Sequence, residues 1–244
     1  MAAAAREVGM GEVFVLVHGA QHGGWCWRRV ADRLRAQGHT VHTPTLTGLG
    51  ERAHLLSAEV GLSTMVRDVV GVLEAEELRD VVLVGHSFGA LPVLGAADLA
   101  ADRIRRIVLL DGLVVEPGHP AFDALAPDTV VQREADARRR GHGIAIPVAS
   151  PKAFGVTDPE DAAWVARRLT PQPLRSYREP LALEGPLGNG LPVVYLHCTA
   201  PEYTAIAAGH TVVKDAGWEW RDLAASHDAM ITAPDATTEA LLRP

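Results

Sequence analysis

Residues 81–89 read Val-Val-Leu-Val-Gly-His-Ser-Phe-Gly, and Ala90, Leu91, Pro92, Val93 and Leu94 continue as a helix-like apolar stretch. An aliphatic strand that turns through G-x-S-x-G into a helix leaves the serine at a sharp bend, where glycines two residues to either side remove Cβ atoms that would collide. The pattern therefore asks for a sheet with a central strand that ends at Ser87 and lifts its hydroxyl into a cleft. A turn serine without chemistry is the plainer alternative, and the strand before it and helix behind it argue against that.

The rest of the chain supplies the alternation such a sheet needs. Residues 13–17 form a continuous aliphatic and β-branched run, as in a strand buried on both faces, and residues 25–37, closed by Gly38, read as the helix that follows. A short strand is expected at 40–42. Leu62, Met65, Val66, Val69, Val70 and Leu73 keep the spacing of one helical face, which predicts a helix over 62–77 packed on the sheet. Further strands are expected at 81–84, 107–110, 193–196 and 219–223, giving an α/β fold with a mostly parallel central sheet and helices on both faces.

The alternation fails between Gly112 and Pro192, where eleven of the sixteen prolines fall. Residues 130–140 and 158–169 can each form a helix there, so the expected organisation is a core of 1–111 and 191–244 with a helical cap over 112–190. A loop-rich surface excursion is the alternative. Phe122, Phe154, Trp164 and Tyr177 are either pocket lining or the core of this insertion.

A serine hydroxyl needs a base, and the base needs a third group to hold its tautomer. Of eleven histidines, His227 lies after the last strand-like run and before a helix starting near Pro234, at the expected carboxyl edge of the sheet. His18 and His86 flank glycines and read as turn residues; His39, His42, His119, His142 and His210 read as surface or loop positions. His18 and His22 lack an acidic or third nitrogen partner nearby in sequence, so no metal site is expected. An oxyanion intermediate needs two preorganised donors, the amide after the nucleophile and one from the loop after the first strand, here Phe88 and Ala20. That glycine-rich loop is not followed by Lys and Ser/Thr in the manner of a phosphate cradle, and no cofactor is expected.

Together, residues 14–25, Gly85-His86-Ser87-Phe88-Gly89 and His227-Asp228-Ala229-Met230 resemble the α/β-hydrolase superfamily, and within it the branch of methylesterases and hydroxynitrile lyases, as a bacterial-type esterase member. The resemblance implies Ser87 as nucleophile, His227 as base and the amides of Ala20 and Phe88 as oxyanion hole. The acid departs from the plant members, which carry an Asp where Pro201 stands. Asp111, at the tip of the strand after the elbow, and Glu202 both keep the chain order nucleophile, acid, histidine; the rigid strand tip favours Asp111. The lyases carry Thr at the position of Gly19 and Lys at that of Asp228, and epoxide hydrolases and dehalogenases carry a carboxylate at the elbow. The implied activity is thus cleavage of a small carboxylic ester, or a thioester, through an acyl-enzyme. The alternatives are a non-hydrolytic enzyme on the same scaffold (a cyclase, decarboxylase or carbon–carbon hydrolase) and a small-molecule receptor with a slow triad.

A net charge of −7 gives no basic footprint for nucleic acid, and Arg138-Arg139-Arg140 reads as a solvated helix end. No apolar run reaches membrane-spanning length, the amino-terminal residues lack the layout of a signal peptide, and Cys26 and Cys198 read as free thiols of a reducing compartment. The expected setting is cytoplasmic, with a small molecule as the substrate.

Overall fold

The computed structural model describes residues 11–243; residues 1–10, on which the absence of a leader was argued, and Pro244 lie outside them. The strands are β1 (Val13–Val17), β2 (Thr40–His42), β3 (Val81–His86), β4 (Ile104–Leu110), a short antiparallel pair β5 (Ala145–Ile146) and β6 (Gln172–Pro173), then β7 (Val193–Cys198) and β8 (Glu219–Leu223). Six of them form one parallel sheet in the order β2-β1-β3-β4-β7-β8.

Side chains alternate across this sheet with the two-residue period of a strand, so each apolar run feeds two cores. Phe14, Leu16, Val82, Val84, Val108 and Leu110 pack on Trp27 and on Val30 and Leu34 of α1 (Arg28–Ala36). Val15, Val17, Leu83 and Leu109 face α2 (Leu62–Ala75) and α3 (Ala90–Leu99). Helix α3 is buried from Ala90 to Ala97, which explains why its sequence is apolar on every side.

Boundaries differ from expectation for identifiable reasons. The helix expected over 25–37 splits into a 3₁₀ turn, Gly24–Trp27, and α1. Strand β4 begins at Ile104 because Arg106, which interrupts the apolar pattern, is satisfied inside: its guanidinium donates to the carbonyls of Leu241 and Arg243. Strand β3 runs through Gly85 and His86, which pair with Leu109 and Leu110; His86 is therefore a buried strand residue rather than a turn residue.

Between β4 and β7 the chain forms α4 (Pro127–Arg140), α5 (Pro159–Ala166) and α6 (Leu174–Arg178) around the β5–β6 pair. Asp158 caps α5 by accepting from the amides of Glu160 and Asp161. This excursion is fastened to the core where Arg29 donates to both carboxylate oxygens of Asp161 and Trp25 meets Trp164 edge to face at 5.0 Å. Helix α7 (Gly209–Asp215) makes the crossover from β7 to the parallel β8, and α8 (Ala229–Thr232) and α9 (Pro234–Leu242) close the chain.

Candidate active site

Strands β3 and β4 are in register at His86 and Leu110, so the next residues, Ser87 and Asp111, leave the sheet side by side at its carboxyl edge. That edge is where open parallel sheets form ligand crevices. Both residues take left-handed backbone conformations, φ +51° and +45°. Such conformations strain a non-glycine residue, and the surrounding turns hold them. The elbow closes because its glycines have no side chain: a Cβ on Gly85 would lie 2.7 Å from the Gly89 carbonyl oxygen, and one on Gly89 would lie 2.5 Å from that of His18.

His227 sits in the loop after β8. Its Nε2 is 2.9 Å from Ser87 Oγ, and its Nδ1 is 2.6 Å from Asp111 Oδ2. The Asp111 carboxylate accepts a further bond from the Cys198 amide at 3.1 Å, fixing its plane. A carboxylate facing Nδ1 puts the proton there and leaves Nε2 as the acceptor of the serine proton. Glu202 is half-exposed in the loop after β7, its Oε1 3.7 Å from His197 Nε2 and directed to that histidine. Of the two candidate acids, Asp111 is the one at His227.

The loop after β1 is held from both sides. The Leu46 amide donates to His18 Nε2, so His18 carries its proton on Nδ1 and donates to the Gly19 carbonyl at 2.8 Å. That carbonyl belongs to the same peptide as the Ala20 N–H, so His18 sets the direction of the amide. Burial lowers the His18 pKa to about 3, which keeps this tautomer neutral. On the other side, His22 Nδ1 faces the Ala20 carbonyl at 2.8 Å and Nε2 faces Asp228 Oδ2 at 3.1 Å. Both partners are acceptors, so both nitrogens carry protons. Burial opposes the charge, and Asp228 outweighs it, raising His22 from its ordinary value. His86 Nε2 donates to the His227 carbonyl at 2.9 Å, tying the base's backbone to the elbow.

Sequence reasoning missed this His22–Asp228 pair, whose members lie far apart in the chain and close only through the fold. It also missed Gln21. The Gln21 amide donates to Gln172 Oε1, its side-chain nitrogen donates to the Pro147 carbonyl, and its side-chain oxygen accepts from Ala149, stitching the loop to the excursion.

A cavity of about 240 Å³ opens above Ser87, bounded by Ala20, Phe154, Tyr177, Tyr203 and Arg133. Of the four aromatic residues left undecided by sequence, Phe154 and Tyr177 line it. Phe122 stands behind Tyr177 at 5.3 Å, and Trp164 is the fastening described above. The Tyr203 ring stacks on His227 with centroids 3.9 Å apart, and its phenol is pushed up to about 12 by burial and by Tyr177, so it stays protonated. The Arg133 guanidinium lies over the Tyr177 ring at 5.1 Å. Burial opposes its charge, but the Tyr177 and Tyr203 hydroxyls raise its pKa, so it remains cationic. Arg140, expected as part of a solvated helix end, also borders the cavity.

A parallel sheet with a serine elbow, a strand-tip carboxylate and a late histidine in hydrogen-bonded sequence defines a hydrolase-type scaffold. The profile of the alpha/beta hydrolase family matches residues 14–240, and the chain belongs to that family. A carbendazim hydrolyzing esterase from a Nocardioides species is 40% identical over 237 residues, covering 93% of this chain and 97% of that protein. Methylesterase 9 of Arabidopsis thaliana is 34% identical over a match covering 44% of this chain and 42% of the plant protein. Among solved structures, an extracellular alpha/beta-hydrolase from a Paenibacillus species superposes with a TM-score of 0.82 at 24% identity, covering 95% of this chain and 98% of that one, a likeness of fold. Among the described residues, no helix is long and apolar enough to cross a membrane.

Proposed function

We propose that this chain is a serine hydrolase that cleaves a small carboxylic ester through an acyl-enzyme on Ser87. The observation that carries the reading is the continuous Ser87–His227–Asp111 hydrogen-bond chain at the floor of a cavity. Its esterase relative supports the same bond type. In this mechanism His227 Nε2 takes the Ser87 proton as Oγ attacks the ester carbonyl, and Asp111 stabilises the imidazolium that forms. The amides of Ala20 and Phe88 receive the negative charge on the carbonyl oxygen. His227 then returns its proton to the departing alkoxide. Water enters in its place, loses a proton to His227 and attacks the acyl carbon; the bond to Ser87 Oγ then breaks, His227 returns the proton to Oγ, and the carboxylic acid leaves.

In the same reading residues 112–190 act as a cap that excludes water and shapes the substrate, with Phe154 and Tyr177 against its apolar part and Arg133 against a polar end. The buried free thiols of Cys26 and Cys198 support a reducing, cytoplasmic setting. The test is hydrolysis of methyl and p-nitrophenyl esters of graded acyl size by the wild type and by Ser87→Ala. Turnover that vanishes in the variant supports the reading, and equal turnover by both proteins overturns it.

A further inference from the structure

Outside this cavity, the most unusual polar cluster joins β7 to α7. His197 is the penultimate residue of β7, Glu202 lies in the loop that follows, and His210 falls in the first turn of α7. One ligand-capable atom from each lies within 4.8 Å of the others. The Nε2 atoms of both histidines are buried and have no hydrogen-bond partner. Buried polar atoms are nearly always satisfied, so two orphaned imidazole nitrogens beside one carboxylate call for a water or an ion between them.

The surroundings of His197 are specific. Its Nδ1 lies 3.2 Å from Asp222 Oδ1, and Asp222 is itself held by the Trp220 indole N–H at 2.9 Å. A carboxylate at Nδ1 holds the proton there by accepting its hydrogen bond, which leaves Nε2 with its lone pair, 3.7 Å from Glu202 Oε1. This carboxylate–histidine relay is how proteins orient and strengthen an imidazole ligand. We propose that His197, Glu202 and His210 form a binding site for a divalent transition-metal ion of the zinc class, separate from the catalytic residues.

Two neutral imidazoles and one carboxylate are a donor set for zinc rather than for magnesium or calcium, which prefer all-oxygen shells. Zinc–nitrogen bonds of about 2.0–2.1 Å in a tetrahedron require ligand atoms closer together than they stand, and the half-exposed Glu202 side chain is free to swing inward. A water completes the fourth position. The ion would tie the loop after β7 to α7, and the residue next to Glu202 is Tyr203, the ring stacked on His227. The metal thus braces one wall of the cavity without touching the reacting atoms. Metal binding at this site is independent of the proposed ester hydrolysis.

The test is calorimetric titration of chelator-treated full-length protein with zinc chloride, alongside Glu202→Gln, His210→Gln and Asp222→Asn. Expected are one site per chain in the wild type and at least about a tenfold loss of affinity in each variant, within the range seen when metal ligands or their carboxylate partners are removed. Glu202 is half-exposed, so Glu202→Gln should keep the wild-type melting midpoint without zinc and report on binding alone. Absence of stoichiometric binding to the wild type, or unchanged affinity in Glu202→Gln and His210→Gln, would overturn the site; the second result would move the ion to another histidine such as His227.

Discussion

Asp111 meets His227 across 2.6 Å at the point where β4 leaves the sheet, and the Cys198 amide holds the same carboxylate from the neighbouring strand. The acid is therefore built into the sheet edge. Asp111→Asn should fold normally and lose on the order of 10⁴ in kcat, because an amide no longer enforces the proton on Nδ1. Glu202→Gln, in metal-free buffer, should change kcat by less than about twofold, since its carboxylate is directed at His197. Steady-state kinetics on both variants separates the two acids, and the reverse pattern would return the role to Glu202.

The His22–Asp228 pair makes a prediction about stability and pH. Its two side chains are almost fully buried, His22 is raised above 6.5 and Asp228 is lowered below 3.8. Histidine's share of this stability is complete below 6.5 and is lost as pH rises through the raised folded value; the aspartate's share is present above 3.8 and is lost as pH falls through its depressed one. Asp228→Asn removes one partner from a buried pair and should cost about 3–5 kcal/mol. The deficit in melting midpoint relative to wild type should be largest between pH 3.8 and 6.5 and shrink as pH rises through the raised folded value of His22. A deficit independent of pH would contradict the pairing.

Gly19 tests the loop that carries the Ala20 amide. A Cβ at this position would lie 2.8 Å from His86 Nδ1 and 2.9 Å from Ser87 Cβ. Both atoms are set by strand and elbow backbone and have little room to retreat. Gly19→Ala should therefore move the loop and cost about 10²–10³ in kcat, the range for losing one oxyanion donor. Far-ultraviolet circular dichroism should stay as in the wild type. Unaltered kcat would show that the loop tolerates displacement and weaken the assignment of Ala20.

The parts of the fold legible in the sequence are those where one local pattern dominates. β1, β2 and β8 coincide with their apolar or alternating runs because each is a short strand bounded by turn residues. α4 and α5 were visible as helices within a proline-rich region, although the geometry around them was not. α7 escaped because Gly209-His210-Thr211-Val212-Val213-Lys214-Asp215 is too short for a helical period to stand out, and the helix is secured by packing Val213 into the core. Ser87 and His227 carry recognisable local contexts. His22, Asp228 and Gln21 do not: their roles come from contacts across the fold, which no spacing rule encodes.

The central claim is that Ser87 is the nucleophile, and its most direct measurement is mass spectrometry of the protein after brief treatment with a fluorophosphonate, which reacts with activated serines. One adduct per chain is expected, located on the peptide containing Ser87, with parallel loss of ester turnover and no adduct on Asp111→Asn under the same short exposure. An adduct on another residue, or full ester turnover by protein modified at Ser87, would contradict it.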